Sequence, residues 1–191
     1  MRFKYEKTGK WLIQHLSRGM LEIGGVHNVA TTTALFSEVV IPKKIPDALL
    51  EVTFTDRPGR HLYLLELFTY PDNQADESLL NDILLVYANR GVVPNVLVLV
   101  LHPKGNSEIP QTVQRQSTLG QTTLHALWPV VPLWTIPGDA LLSTHDPSLA
   151  PWLPLLQQTA PPEVVLRQCR DIIEKYAPAQ QKANLQAIVQ V

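Results

Sequence analysis

The stretch from Ile45 to Asp72, IPDALLEVTFTDRPGRHLYLLELFTYPD, constrains the fold of this chain most. Two runs rich in leucine, β-branched and aromatic residues, Asp47–Thr55 and Arg60–Tyr70, flank Asp56-Arg57-Pro58-Gly59. Proline presets φ for a turn and glycine tolerates positive φ, so the stretch reads as two long strands joined by a tight turn. Strand side chains alternate with a period of two. With Thr55 facing Arg60, Leu49 falls opposite Glu66 and Asp47 opposite Phe68. Asp47, Leu49 and Glu51 then share a face with Leu64, Glu66 and Phe68, and both Asp47 and Glu51 become diagonal neighbours of Glu66. A slip of one residue would send Asp47 and Glu66 to opposite faces.

Glu66 stands inside an apolar run, where an unpaired charge is costly. Two readings compete for it. One is a structural carboxylate paired with Arg60, Arg90 or a lysine. The other is a member of a functional carboxylate cluster. Asp47, following Pro46, reads as a turn residue or as a member of the same cluster.

The remaining pattern builds layers around the hairpin. Leu12, Leu16, Met20 and Ile23 recur at helical spacing over residues 9–24, and Gly24-Gly25 end that helix. TALFSEVV, ending at Val40, fits a short helix or an edge strand. Pro42 and Pro46 bracket Lys43-Lys44 in an extended segment that cannot be a central strand. A helix is predicted over Ala75–Arg90, capped by Asp72 or Asn73, closed by Gly91, and buried along Leu79, Leu80, Ile83, Leu84 and Tyr87. VPNVLVLVLHP, centred on Asn95–Leu101, is the apolar run of a strand buried on both faces. Strand, helix and buried strand make a parallel crossover unit.

Lys104–Gln121 reads as a loop or loose hairpin. Thr122–Ile136 reads as one strand region whose Pro129 and Pro132 demand an edge or a bulge. Pro137-Gly138-Asp139 opens a short helix, and SLAPWLPLL is irregular but apolar. A helix from Pro162 carries Val165, Cys169, Ile172, Ile173 and Tyr176 on one stripe. Pro178 ends it, and a last helix starts near Ala179. Its pattern breaks off at Val191 without a stop signal, as if the native chain continued.

These elements predict a single α/β domain: residues 1–160 as the main body and 161–191 as a helical extension of it. A net charge of −1 gives no electropositive surface across the whole chain. The single cysteine, Cys169, excludes an internal disulfide and falls on an apolar helical stripe, as a buried thiol does. No apolar run reaches the ~18 residues of a membrane span, and residues 1–10 lack an apolar signal-peptide core, so a cytoplasmic protein without membrane partners is expected. The six histidines show no metal-ligand spacing. A glycine-rich phosphate loop is absent from the sequence, so no organic cofactor is expected.

One set of short motifs carries a resemblance: Pro46-Asp47-Ala48-Leu49-Leu50-Glu51-Val52, then Leu64-Leu65-Glu66, then Thr69-Tyr70-Pro71-Asp72. With Leu84-Leu85-Val86-Tyr87, the run Val96–Pro103 and Lys104-Gly105-Asn106, their order resembles the PD-(D/E)xK nuclease superfamily. Within it, the chain is most similar to the Rpn-type recombination-promoting nuclease and transposase branch of bacterial proteins. The resemblance spans residues 10–190. It implies a restriction-endonuclease-like core: a mixed sheet of about four or five strands with helices on both faces and a C-terminal helical segment. It also implies that Asp47, Glu66 and the backbone carbonyl of Leu67 hold magnesium or manganese and act in phosphodiester hydrolysis, with DNA as the partner. Where such proteins carry Lys or Gln two residues after the Glu, this chain has Phe68, so the resemblance implies a nuclease or a catalytically degenerate relative of one. A substitute would come from Lys43, Lys44 or Gln74, with Glu51 as a supporting carboxylate. The competing function is a non-enzymatic interaction module that forms a homodimer or docks a partner.

Overall fold

The computed structural model describes residues 2–34, 46–104, 108–118 and 120–189, with the side chains of residues 2–11 and 14 left aside. Its centre is a five-stranded mixed sheet in the order β1-β2-β3-β4-β7. These strands are β1 (Val29–Ala34), β2 (Ala48–Phe54), β3 (His61–Phe68), β4 (Asn95–Val100) and β7 (Val130–Pro132). β1, β2 and β3 run antiparallel in sequence, while β4 is parallel to both β3 and β7. The hairpin strands β2 and β3 are interior, so the apolar stretch that dominates the sequence has both backbone edges paired. Their side chains alternate between the two faces, giving one apolar row on each side of the sheet.

One side is covered by α1 (Arg2–Ile23), α4 (Pro162–Tyr176) and α5 (Ala179–Val189). Leu50, Val52, Leu65, Leu97 and Leu99 pack there against Ile13, Met20, Leu21, Trp152, Cys169 and Ile173. The other side is covered by α2 (Ala75–Arg90) and by a separate hairpin of β5 (Thr112–Gln116) and β6 (Thr123–Leu127). Leu49, Leu64, Val96, Val98 and Val100 meet Leu79, Ile83, Val86, Val113 and Trp128 on this side. Odd positions of β2 and even positions of β3 and β4 therefore face α2. The C-terminal helices pack onto the first core, as one body with the sheet.

The α2 helix spans the predicted residues. The N-cap is Gln74, without a side-chain capping bond, rather than the predicted Asp72 or Asn73; Asp72, two residues ahead, accepts the Gln74 backbone N–H at 2.9 Å and closes a turn before the helix. Gly91 ends the helix with φ +67 and its N–H on the Tyr87 carbonyl, a left-handed conformation that glycine adopts without a Cβ penalty. The buried stripe is shifted from the predicted one. Val86 is buried, whereas Leu84 and Tyr87 are 38% and 51% exposed. α2 covers a sheet face that it shares with β5–β6, so a narrower stripe suffices.

Three further expectations are corrected. The first helix reaches back to Arg2, with non-helical geometry at Leu16. The region 122–136 is not one strand: Pro129 divides it between β6 in the outlying hairpin and β7 at the edge of the main sheet. A proline tolerated only at an edge or a break sits at the point where the chain changes sheet.

The third correction concerns the register of the central hairpin. The ladder pairs Ala48 with Leu65, Leu49 with Leu64 and Glu51 with Leu62, and closes at Val52–His61. Residues 53–60 separate the last pair, and the loop is centred one residue earlier than predicted, so every partner moves by two residues. Contacts at the loop hold it open. Arg57 lies over the Phe54 ring at 4.4 Å, Phe54 meets His61 edge-on at 5.3 Å, and Asn28 donates to Asp56 at 2.9 Å. A two-residue shift preserves the face of every side chain but changes its neighbours.

Of the segment that bears on the hairpin entrance, TALFSEVV beyond Ala34, Pro42, Lys43 and Lys44 lie outside the described residues, as do Gly105 and Asn106.

Candidate functional site

Extending the observed pairing by one residue sets Asp47 directly across from Glu66, rather than diagonal to it. Both side chains are half-buried. They are locked by reciprocal backbone bonds. The Leu67 N–H donates to Asp47 Oδ2 at 2.9 Å, and the Asp47 N–H donates to Glu66 Oε1 at 3.3 Å. Each carboxylate thus binds the backbone beside the other.

The reason lies at Pro46. Phe68 directs its carbonyl to β4, where the Leu101 N–H donates to it at 2.9 Å. Strand alternation therefore turns the Leu67 N–H and C=O toward β2. Continued pairing would place Pro46 opposite Leu67. Proline has no N–H to return to the Leu67 carbonyl, so the ladder ends at Ala48–Leu65. The Asp47 carboxylate takes over the Leu67 N–H, and the strand donor that would have occupied the Leu67 carbonyl does not exist.

Glu51 lies away from this pair. It is opposite Leu62, about 13 Å along β2 from Asp47 at ~3.3 Å per residue, and it accepts from Arg60 Nη1 at 3.0 Å. Arg60 is thereby engaged with Glu51. Phe68 occupies the same side of the sheet as Glu66 and packs against the α2-side core. Gln74 precedes α2 at this end of the sheet and is exposed. Lys43 and Lys44 lie outside the described residues. Glu22 lines a surface hollow with Arg18, Asn28 and Thr55, at the far end of β2 from Asp47.

The same end of the sheet carries more polar groups. Arg115 of β5 bonds Asp76 in the first turn of α2 at 2.9 Å, tying the outlying hairpin to the helix. Tyr70, His102 and Lys104 follow the ends of β3 and β4, with the His102 ring and the Lys104 ammonium both beside the Tyr70 ring. Asp82, on α2, is buried at 5% exposure and makes a polar interaction. Sequence reasoning passed over it because it stands one place beside the apolar stripe. A charged residue directly preceding Ile83 was the available signal.

Trp128 and Trp152 are buried, and Trp128 Nε1 donates to the Pro110 carbonyl at 2.8 Å. Both are core anchors, not base-stacking platforms. Cys169 is buried between α4 and the main core, and burial pushes its thiol up to about 11. It is a structural thiol, protonated at neutral pH.

Among the described residues, no group of three or more His, Cys, Asp or Glu side chains is arranged to hold a metal ion. None of their helices is long and apolar enough to cross a membrane. No protein-family model matches the chain, and neither a curated protein nor a solved structure is significantly similar to it. The fold defines the class of the protein as a mixed α/β domain with a five-stranded sheet flanked by helices.

Proposed function

We propose that the chain is a divalent-metal-dependent phosphodiester hydrolase of restriction-endonuclease-like architecture, acting on nucleic acid. The observation that carries this reading is the Asp47–Glu66 pair: two carboxylates on facing strands, each anchored through the backbone next to the other. The element order supports it, with three antiparallel strands, a helix, and a strand returning parallel beside β3. The donor set fits a hard cation. Asp47 and Glu66 offer carboxylate oxygens, and Pro46 leaves the Leu67 carbonyl without its strand donor. Magnesium is typically held by one or two carboxylates with water in the remaining positions, so two acidic side chains suffice. When bound, such an ion supplies Lewis-acid polarisation of a phosphodiester.

The chain's own contribution is to fix the two carboxylates and to exclude water from one side of them. Phe68 and the Leu64–Val98 row form that dry wall. Phe68 also favours a second reading. At the place where a cationic or amide side chain would assist a water, phenylalanine neither donates a hydrogen bond nor carries charge. A relative that binds metal and nucleic acid without turnover would have this wall.

The test is cleavage of supercoiled plasmid and of a single-stranded oligonucleotide in magnesium or manganese, comparing the parent protein with Glu66→Gln. Cleavage lost in E66Q supports the hydrolase. Metal binding that depends on Glu66, without cleavage, supports the binding-only relative. Equal cleavage by both proteins, or no Glu66-dependent metal binding, refutes the site.

A further inference from the structure

At the carboxylate end of the sheet, Tyr70, His102 and Lys104 form a cluster beside the reciprocal backbone bonds of Asp47 and Glu66. The His102 backbone N–H donates to the Thr69 carbonyl at 3.1 Å, holding the ends of β3 and β4 together. The His102 ring lies 6.2 Å from the Tyr70 ring, tilted by 43°. Lys104 Nζ stands 5.0 Å from the centre of the Tyr70 ring, within the range of a cation–π contact. Tyr70 nevertheless remains 46% exposed. An ammonium and an imidazole are thus gathered at an aromatic ring that still faces solvent.

Distance decides what this cluster can do. Tyr70 lies four residues beyond Glu66, at most about 13 Å along an extended chain at ~3.3 Å per residue. That bound keeps the cluster near enough for one bound strand to reach both it and the carboxylates. It is placed to hold a neighbouring nucleotide.

We propose that Tyr70, His102 and Lys104 form a gripping platform for single-stranded nucleic acid, an inference that rests on the reading of Asp47 and Glu66 as a phosphodiester site. Lys104 takes a backbone phosphate, and the open part of the Tyr70 ring stacks an unpaired base. His102 fixes the tilt of that ring. Bases in a duplex have both faces covered by their neighbours, so an aromatic platform selects unpaired ones. Every base has a π-face, so the platform is indifferent to sequence. DNA and RNA share the phosphate and the stackable base, and only the sugar separates them.

Fluorescence anisotropy of a labelled oligonucleotide, as DNA and as RNA, tests this in an E66Q background where binding is read without cleavage. Tyr70→Ala should weaken binding of the single strand roughly 5- to 150-fold, the range of one stacked base. Tyr70→Phe should restore it. Lys104→Gln should reduce the slope of log affinity against log salt by about 0.7, the share of one phosphate contact. A duplex of the same sequence should respond little to Y70A. Loss in either sugar arm supports the platform and identifies the sugar. Unchanged single-strand binding in Y70A and K104Q, equal losses for duplex and single strand, or no binding by the parent overturns it. Metal-dependent cleavage with unchanged Y70A binding overturns the platform alone. Platform binding without Glu66-dependent metal binding overturns the hydrolase reading alone.

Discussion

Replacing Asp47 separates its hydrogen bond from its charge. Asp47 Oδ2 accepts the Leu67 N–H at 2.9 Å where the β2–β3 ladder has ended. Asp47→Ala leaves that N–H without its acceptor. A hydrogen bond to a charged group contributes about 1.5–3 kcal/mol. The site is half-buried, so water regains part of the loss, and the lower part of that range, about 1.5–2 kcal/mol, is expected. Asp47→Asn keeps an amide oxygen of the same reach. A neutral bond contributes about 0.5–1.5 kcal/mol, so D47N should be the milder variant. For a chain of this size, each kcal/mol moves Tm by about 2–4 °C, giving a drop of roughly 3–8 °C in D47A. Urea denaturation should show a lower midpoint with an unchanged m value. Amide hydrogen exchange should show Leu67 losing protection in D47A and keeping most of it in D47N. A D47A protein with parental stability and an equally protected Leu67 amide would refute the reciprocal anchoring. A D47N protein as unstable as D47A would show that charge, not the hydrogen bond, governs this position.

Two further perturbations examine the frame and its loop. A Cβ at Gly24 would lie 2.3 Å from Cδ2 of the fully buried Leu97, so Gly24→Ala should cost about 1–3 kcal/mol by overpacking; an unchanged melting curve would mean that α1 ends farther from the sheet. The Asn28 side chain, and then Arg57, hold the Asp56 carboxyl below its usual 3.8. A depressed folded-state pKa means that this contribution is present above the ordinary carboxylate range and is lost as pH falls through the lowered value. In an NMR titration, Asn28→Ala should move Asp56 up toward 3.8, and no movement would remove Asn28 as the main cause.

What the sequence revealed follows from which features are local. The α2 helix and the β4 strand were legible because a long periodic run and a continuous apolar run carry their own signal. The shared face of Asp47 and Glu66 was legible because it depends only on parity, and the observed register differs from the predicted one by two residues. Their direct opposition was not legible. It depends on where the loop is centred, and there Arg57 and His61 each pack on Phe54. The same shift moved Glu51 out of the cluster and onto Arg60.

Other features needed the tertiary arrangement. The exposure of Leu84 and Tyr87 reflects the sharing of one sheet face between α2 and the β5–β6 hairpin. Pro129 announced a break in the strand region, but not that the chain leaves one sheet for another there. The contact of Tyr70 with His102 and Lys104 joins the ends of two strands separated by a whole helix, which no local pattern encodes. Pro46 shows the opposite case: a single residue whose missing N–H explains where the ladder stops and why Asp47 bonds Leu67.

The proposed function stands on Asp47 and Glu66 together holding a hard cation. A crystal structure of the protein soaked in manganese tests it directly. The expected result is an anomalous peak bonded to both carboxylates and to the Leu67 carbonyl, at about the 2.0–2.6 Å that hard cations keep from oxygen. Carboxylates still closed on the Asp47 and Leu67 backbone N–H groups, with no peak beside them at saturating manganese, would contradict it.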